Sequence, residues 1–105
     1  MTETRTIAGI PIRLRRFGTG PRSALILHCG QGSGGMWRGV MAQLSDRLTA
    51  IAPDLPGHGR SGPWPAGRDV HDAATVVAHA LLPEAPAHLI GHSFGATVAL
   101  RLALD

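Results

Sequence analysis

The chain predicts an α/β fold in which an antiparallel hairpin leads into a parallel sheet with flanking helices. Three observations carry this. Ile10, Ile12 and Leu14 alternate with Pro11, Arg13 and Arg15, the period-2 signature of a half-buried strand. Ala24–His28, Leu48–Pro53 and Ala87–Gly91 are short continuous apolar runs, as expected of strands covered on both faces. Between those runs the apolar spacing becomes helical, and strands joined by helical crossovers pair in parallel.

Taken in order, Thr4–Ala8 and Ile10–Phe17 form the hairpin around Gly9-Ile10-Pro11, and Gly18-Thr19-Gly20-Pro21 is a turn. Ala24–His28 is the first buried strand, followed by the glycine-rich HCGQGSGG of residues 28–35. Trp37, Val40, Met41, Leu44 and Leu48 then recur at helical spacing. Leu48–Pro53 is the second buried strand, and DLPGHGRSG, residues 54–62, is a turn-rich loop. Asp69 is placed as a helix N-cap, with Val70, Ala74, Val77 and Leu81 as the apolar stripe behind it. Pro83 and Pro86 end that helix. Ala87–Gly91 is the third buried strand, and the chain is helical from Phe94 onward.

At 105 residues there is room for one small domain, and 44% hydrophobic with 16% charged residues excludes disorder. The net charge is +3, and all ten basic residues are arginine. Only Arg13, Arg15 and Arg16 cluster; with no stacking aromatics beside them they read as a solvated hairpin face, so no nucleic-acid partner is expected. Cys29 is the one cysteine, which rules out an internal disulfide. The six histidines lack zinc-ligand spacing, and neither a metal nor another cofactor is expected. No stretch resembles a signal peptide or a membrane span, so the expected location is cytoplasmic, without a membrane partner.

Two motifs compete for the chemistry. Gly30-Gln31-Gly32-Ser33-Gly34-Gly35 matches G-x-G-x-x-G, and Asp54 lies 19 residues past its last glycine, where a dinucleotide fold places a ribose-binding acid. Against a nucleotide-binding module, Asp54 opens a long glycine-rich loop. Its alternative role is to anchor the turns of that loop by side-chain to backbone hydrogen bonds. The second motif is Gly91-His92-Ser93-Phe94-Gly95, a G-x-S-x-G between a buried strand and an apolar helix, the context of a nucleophile elbow. So tight a turn strains the serine backbone and needs Gly91 and Gly95 for close strand–helix approach. It lifts Ser93 onto the positive end of the helix, with the Phe94 N–H aimed where an oxyanion would develop. The plain alternative is that Ser93 simply caps the helix.

LILHCGQGSGGMW resembles the LHGxxGSxxxW segment of α/β-hydrolase-fold serine hydrolases. PDLPGHGRSG resembles their loop after the next strand, and LIGHSFGATVAL their elbow. The segments stand in the family's order, and the resemblance runs from about Ile10 to Asp105. It implies acyl transfer to water from a small ester-like substrate, with Ser93 as nucleophile and the second oxyanion N–H from Gly30. Cys29 stands where the family usually has glycine, which is tolerated if its φ stays negative. As a nucleophile it is not favoured, having no base at recognisable spacing. Serine at the elbow separates the chain from branches that use aspartate there, such as haloalkane dehalogenases and epoxide hydrolases.

The family carries its catalytic acid and histidine, in that order, after later strands. His58, His92 and Asp54 are out of order for those roles, and His71, His79 and His88 read as helix-surface or strand-end residues. The resemblance therefore implies a partial domain over 1–105, truncated after the elbow helix and lacking the cap region, acid and histidine. Such a chain needs its C-terminal half for turnover and exposes Ala87–Gly91 as an apolar, aggregation-prone edge. A non-catalytic fragment that keeps the fold is the remaining alternative.

Overall fold

The structure is a computed structural model that describes residues 2–83 and 86–105. Strands β1 (Thr2–Ile7) and β2 (Ile10–Phe17) are joined by Ala8 (φ 52°) and Gly9 (φ 80°), a two-residue turn with both centres in the left-handed region that suits strand twist. Ala8, expected as the last residue of the first strand, therefore belongs to the turn, one residue past the strand's end at Ile7. β3 (Arg22–Leu27) leads through the glycine-rich loop into a 3-10 turn (Gly34–Trp37) and helix α1 (Arg38–Leu44). β4 (Leu48–Pro53), α2 (Val70–Ala80), β5 (Ala87–Gly91) and α3 (Phe94–Leu104) complete the order.

The five strands form one sheet in the order β1-β2-β4-β3-β5. β1, β2 and β4 pair antiparallel, whereas β3 pairs in parallel with both β4 and β5. Side-chain alternation sorts the core into two layers. Leu25 and Leu27 of β3 join Ile12, Leu14, Ala74, Val77 and Val98 beneath α2 and α3. Ala24 and Ile26 turn the other way, toward Ala50, Ala52 and Met41 beneath α1. Helices cover both faces of β3, which is why its sequence is continuously apolar.

Three expectations need correction. The stripe from Trp37 onward is not one continuous helix: it is split between the 3-10 turn and α1, and Val40 on it is 52% exposed, while Leu48 opens β4 as its strand assignment expects. Ala87–Gly91 is a strand that is not buried but stands as the apolar edge expected of it; Leu89 and Ile90 are half-buried, since β5 lies at the edge of the described sheet. Arg13, Arg15 and Arg16 do not form one face. Arg15 packs over Gly35 on the α1 side, whereas Arg16 reaches Glu3 at 2.9 Å from the opposite face, which it shares with the buried Leu14.

α2 starts as its sequence predicts. Asp69 is extended (φ −67°, ψ 135°) and its carboxylate accepts the His71 N–H at 2.9 Å, a cap of about 1 kcal/mol. Among the described residues no helix is long and apolar enough to cross a membrane.

Candidate active site

Right-handed crossovers explain where the site must lie. From β3 the chain steps to β4 by way of α1; from β4 it steps back across β3 to β5 by way of α2, on the opposite face. The adjacent strands β3 and β5 therefore send their following segments to opposite faces, and a crevice opens between their C-terminal ends. The glycine-rich loop enters it from β3, and residues 91–95 enter it from β5.

Ser93 sits at the strand-to-helix corner with φ 55° and ψ −114°, a conformation natural to glycine and costing another residue about 1–3 kcal/mol. An N-cap serine would be extended, with its hydroxyl bonded to the first turn; Ser93 is neither extended nor makes a side-chain cap bond. The corner is pinned by backbone. The His92 N–H donates to the Leu27 carbonyl at 3.1 Å, and the Ser93 carbonyl accepts the N–H groups of Ala96 and Thr97 at 2.9 and 3.2 Å. Because that carbonyl points into the helix, the Phe94 N–H of the same trans peptide points out of its N-terminus, into the crevice. A Cβ on Gly95 would stand 2.5 Å from the His28 carbonyl oxygen, and one on Gly91 would stand 2.6 Å from the Gly95 carbonyl carbon. Both glycines are needed for the approach.

Across the crevice, Cys29–Gly32 form a turn closed by the Gly32 N–H and the Cys29 carbonyl at 3.0 Å. Gln31 takes its left-handed position (φ 65°), while Cys29 stays out of that region. A methyl group on Gly30 would lie 3.8 Å from Phe94 Cβ, in ordinary contact, so residues 30 and 94 are neighbours. Cys29 itself is half-buried, its Sγ 4.0 Å from Met36 Sδ.

Asp54 accounts for the dinucleotide-like pattern. It is 1% exposed, and its Oδ1 accepts the Gly34 N–H at 2.7 Å while Oδ2 accepts the Arg60 N–H at 3.0 Å. Its carbonyl accepts the Ser61 hydroxyl, and its N–H donates to the Arg13 carbonyl at 2.8 Å. The carboxylate that a ribose would require is thus committed to the backbone of both loops, and one of its partners is the glycine run itself.

Three histidines that carry no role in the sequence reading gather beside the elbow. His28 is fully buried: its Nε2 accepts the Leu55 N–H at 2.9 Å, so Nδ1 carries the proton and donates to the Cys29 carbonyl at 2.7 Å. Burial pushes its pKa below the ordinary value and nearby His58 adds to this, while the Cys29 bond and Asp54 act in the opposite direction. His58 donates from Nδ1 to the Pro56 carbonyl at 3.0 Å and stacks on Phe94. His71, expected as a helix-surface residue, lies in the first turn of α2, is half-buried and reaches Thr97 Oγ1 from Nε2 at 3.2 Å. None of these ring bonds goes to Ser93. His92, within the elbow, is exposed. Only positions in three separate segments unite the trio, so no local spacing announced it.

The family model described as alpha/beta hydrolase fold matches residues 25–105. Over 101 residues the chain is 38% identical to the dihydrolipoyllysine-residue acetyltransferase component of the acetoin cleaving system of Cupriavidus necator, covering 94% of this chain and 27% of that protein. It is 42% identical to the pimeloyl-(acyl-carrier protein) methyl ester esterase of Methylococcus capsulatus, over 82% of this chain and 32% of the esterase. The thioesterase domain from the curacin biosynthetic pathway has the same fold, with a TM-score of 0.88 at 27% identity over 98% of this chain and 40% of that domain. The chain thus spans 27–40% of the length of these proteins. Strand order, the corner at Ser93 and the matched family model lead to one conclusion: the chain belongs to the alpha/beta hydrolase fold family.

Proposed function

We propose that this chain carries the nucleophile and oxyanion hole of a serine hydrolase acting on ester-like carbonyls. The observation that carries the reading is Ser93, held at φ 55° with its hydroxyl not spent on capping, at the mouth of the sheet's crevice. In the proposed reaction Ser93 Oγ attacks the carbonyl carbon and the Phe94 and Gly30 N–H groups receive the developing oxyanion. The alcohol leaves, and water hydrolyses the acyl-enzyme. The esterase similarity, through the methyl ester in that relative's name, favours an ester over other acyl compounds.

Proton transfer needs a base at Ser93. The hydrogen bonds that the rings of His28, His58 and His71 make go to Cys29, Leu55, Pro56 and Thr97, and none goes to Ser93. We therefore expect the base to come from a further segment, and these 105 residues alone to turn over no ester.

Labelling with a fluorophosphonate tests this, with imidazole added as the base in solution. Peptide mass spectrometry is expected to find the phosphonyl group on Ser93, at a rate that rises with imidazole, and none there in Ser93→Ala. Label confined to Ser45 or other hydroxyls away from residue 93 contradicts the reading.

A further inference from the structure

Two rings from two other segments converge on Phe94. His58, in the loop after β4, stacks on it with centroids 5.9 Å apart and planes 18° from parallel. His71, in the first turn of α2, meets it edge-on at 5.9 Å and 86°. His71 also reaches Phe94 by a second route. Thr97 Oγ1 lies 2.6 Å from the Phe94 carbonyl oxygen, which only accepts, so the single hydroxyl proton is spent there. The 3.2 Å contact between Thr97 Oγ1 and His71 Nε2 then requires the imidazole to donate. His71 is itself fixed by Asp69, which accepts its backbone N–H.

We propose that His71 is a positioning residue for the Phe94 N–H, acting through the Thr97 hydroxyl and the Phe94 ring. The inference rests on the reading of Phe94 as an oxyanion donor. The Ser93 carbonyl fixes one end of the Ser93–Phe94 peptide through the Ala96 and Thr97 N–H groups, whereas the Phe94 N–H itself has no intrahelical acceptor. The ring contact steadies one side of Phe94 and the relay to its carbonyl steadies the other. Both act on the Cα side of Phe94, on its ring and on the carbonyl of the following peptide, and so fix the φ at which its N–H is presented to the crevice. A donor displaced by a fraction of an ångström stabilises a developing charge far less.

The test is the rate of fluorophosphonate labelling of Ser93 in the full 105-residue chain at fixed imidazole, because phosphonylation places an oxygen where the oxyanion would sit. His71→Ala and Thr97→Val are each expected to slow labelling ~10-fold, a partial loss of one donor's effect, and to move the Phe94 amide proton resonance. Thr97→Ser, which keeps the hydroxyl, is expected to restore the wild-type rate and resonance. The double variant should be no slower than the slower single, as for residues acting in one relay. Alkylation of Cys29 by iodoacetamide needs no oxyanion and should proceed at the wild-type rate throughout. If His71→Ala does not fold, Thr97→Val decides. Unchanged labelling in a folded Thr97→Val, or slowing matched by altered Cys29 alkylation, overturns the inference alone. Absence of Ser93 labelling in the wild type overturns the nucleophile reading and this inference with it.

Discussion

Ser93 and His28 show what single residues contribute and what they cost. Ser93 occupies a conformation that glycine would accept without strain. Ser93→Gly is therefore expected to raise unfolding stability by about 1 kcal/mol, the relieved strain less the added chain entropy, while abolishing labelling at residue 93. Urea unfolding beside the labelling assay checks both halves. His28 is held neutral, its pKa below the ordinary 6.5, so the unfolded chain binds a proton there that the folded chain refuses. Stability contributed by neutral His28 is complete above about pH 6.5 and is lost as pH falls toward its depressed folded value. Urea unfolding at pH 7.5 and pH 5 should show the wild type weakening with acid. His28→Asn should be less stable at pH 7.5 but lose less between the two.

At the scale of elements, the joint between the two loops is the informative feature. Asp54 ends β4 and ties the glycine-rich loop to residues 54–62 through the Gly34 and Arg60 N–H groups. Asp54→Ala would leave two N–H groups without their acceptor, an expected cost of about 2–5 kcal/mol in urea unfolding. The motif-to-motif spacing was legible in the sequence, as was the loop-anchoring role. The target of one Asp54 oxygen in the glycine run was not, because spacing cannot show which of two loops a buried acid turns toward. The strands and α2 were legible where periodicity and a cap agreed. The first helix was misread because Trp37, Val40, Met41, Leu44 and Leu48 keep helical spacing by sequence alone. Packing over Ala50 and Ala52 buries only Met41 fully and leaves Val40 exposed. The surface placement of His71 was legible but its partner was not, because Thr97 lies 26 residues away, across a strand.

At the scale of the whole molecule, the radius of gyration of 12.6 Å is what a compact chain of this length has, about 13 Å. That compactness holds although β5 has a neighbour on one side only among the described strands. Ile12, Leu14, Leu25, Leu27 and Val98 are all fully buried, so the core beneath α2 and α3 closes without help from β5's open flank. The consequence for function is a crevice whose two walls, the Gly30 loop and the Ser93 corner, are both anchored to β3. The His92 N–H and the close approach of Gly95 reach its last residues, and the Cys29 turn continues from it. The most direct measurement of the account is therefore a crystal structure of the chain with Ser93 phosphonylated. It predicts the phosphonyl oxygen within about 2.7–3.1 Å of both the Gly30 and Phe94 nitrogens. An oxygen turned to solvent, with neither nitrogen in reach, would contradict it.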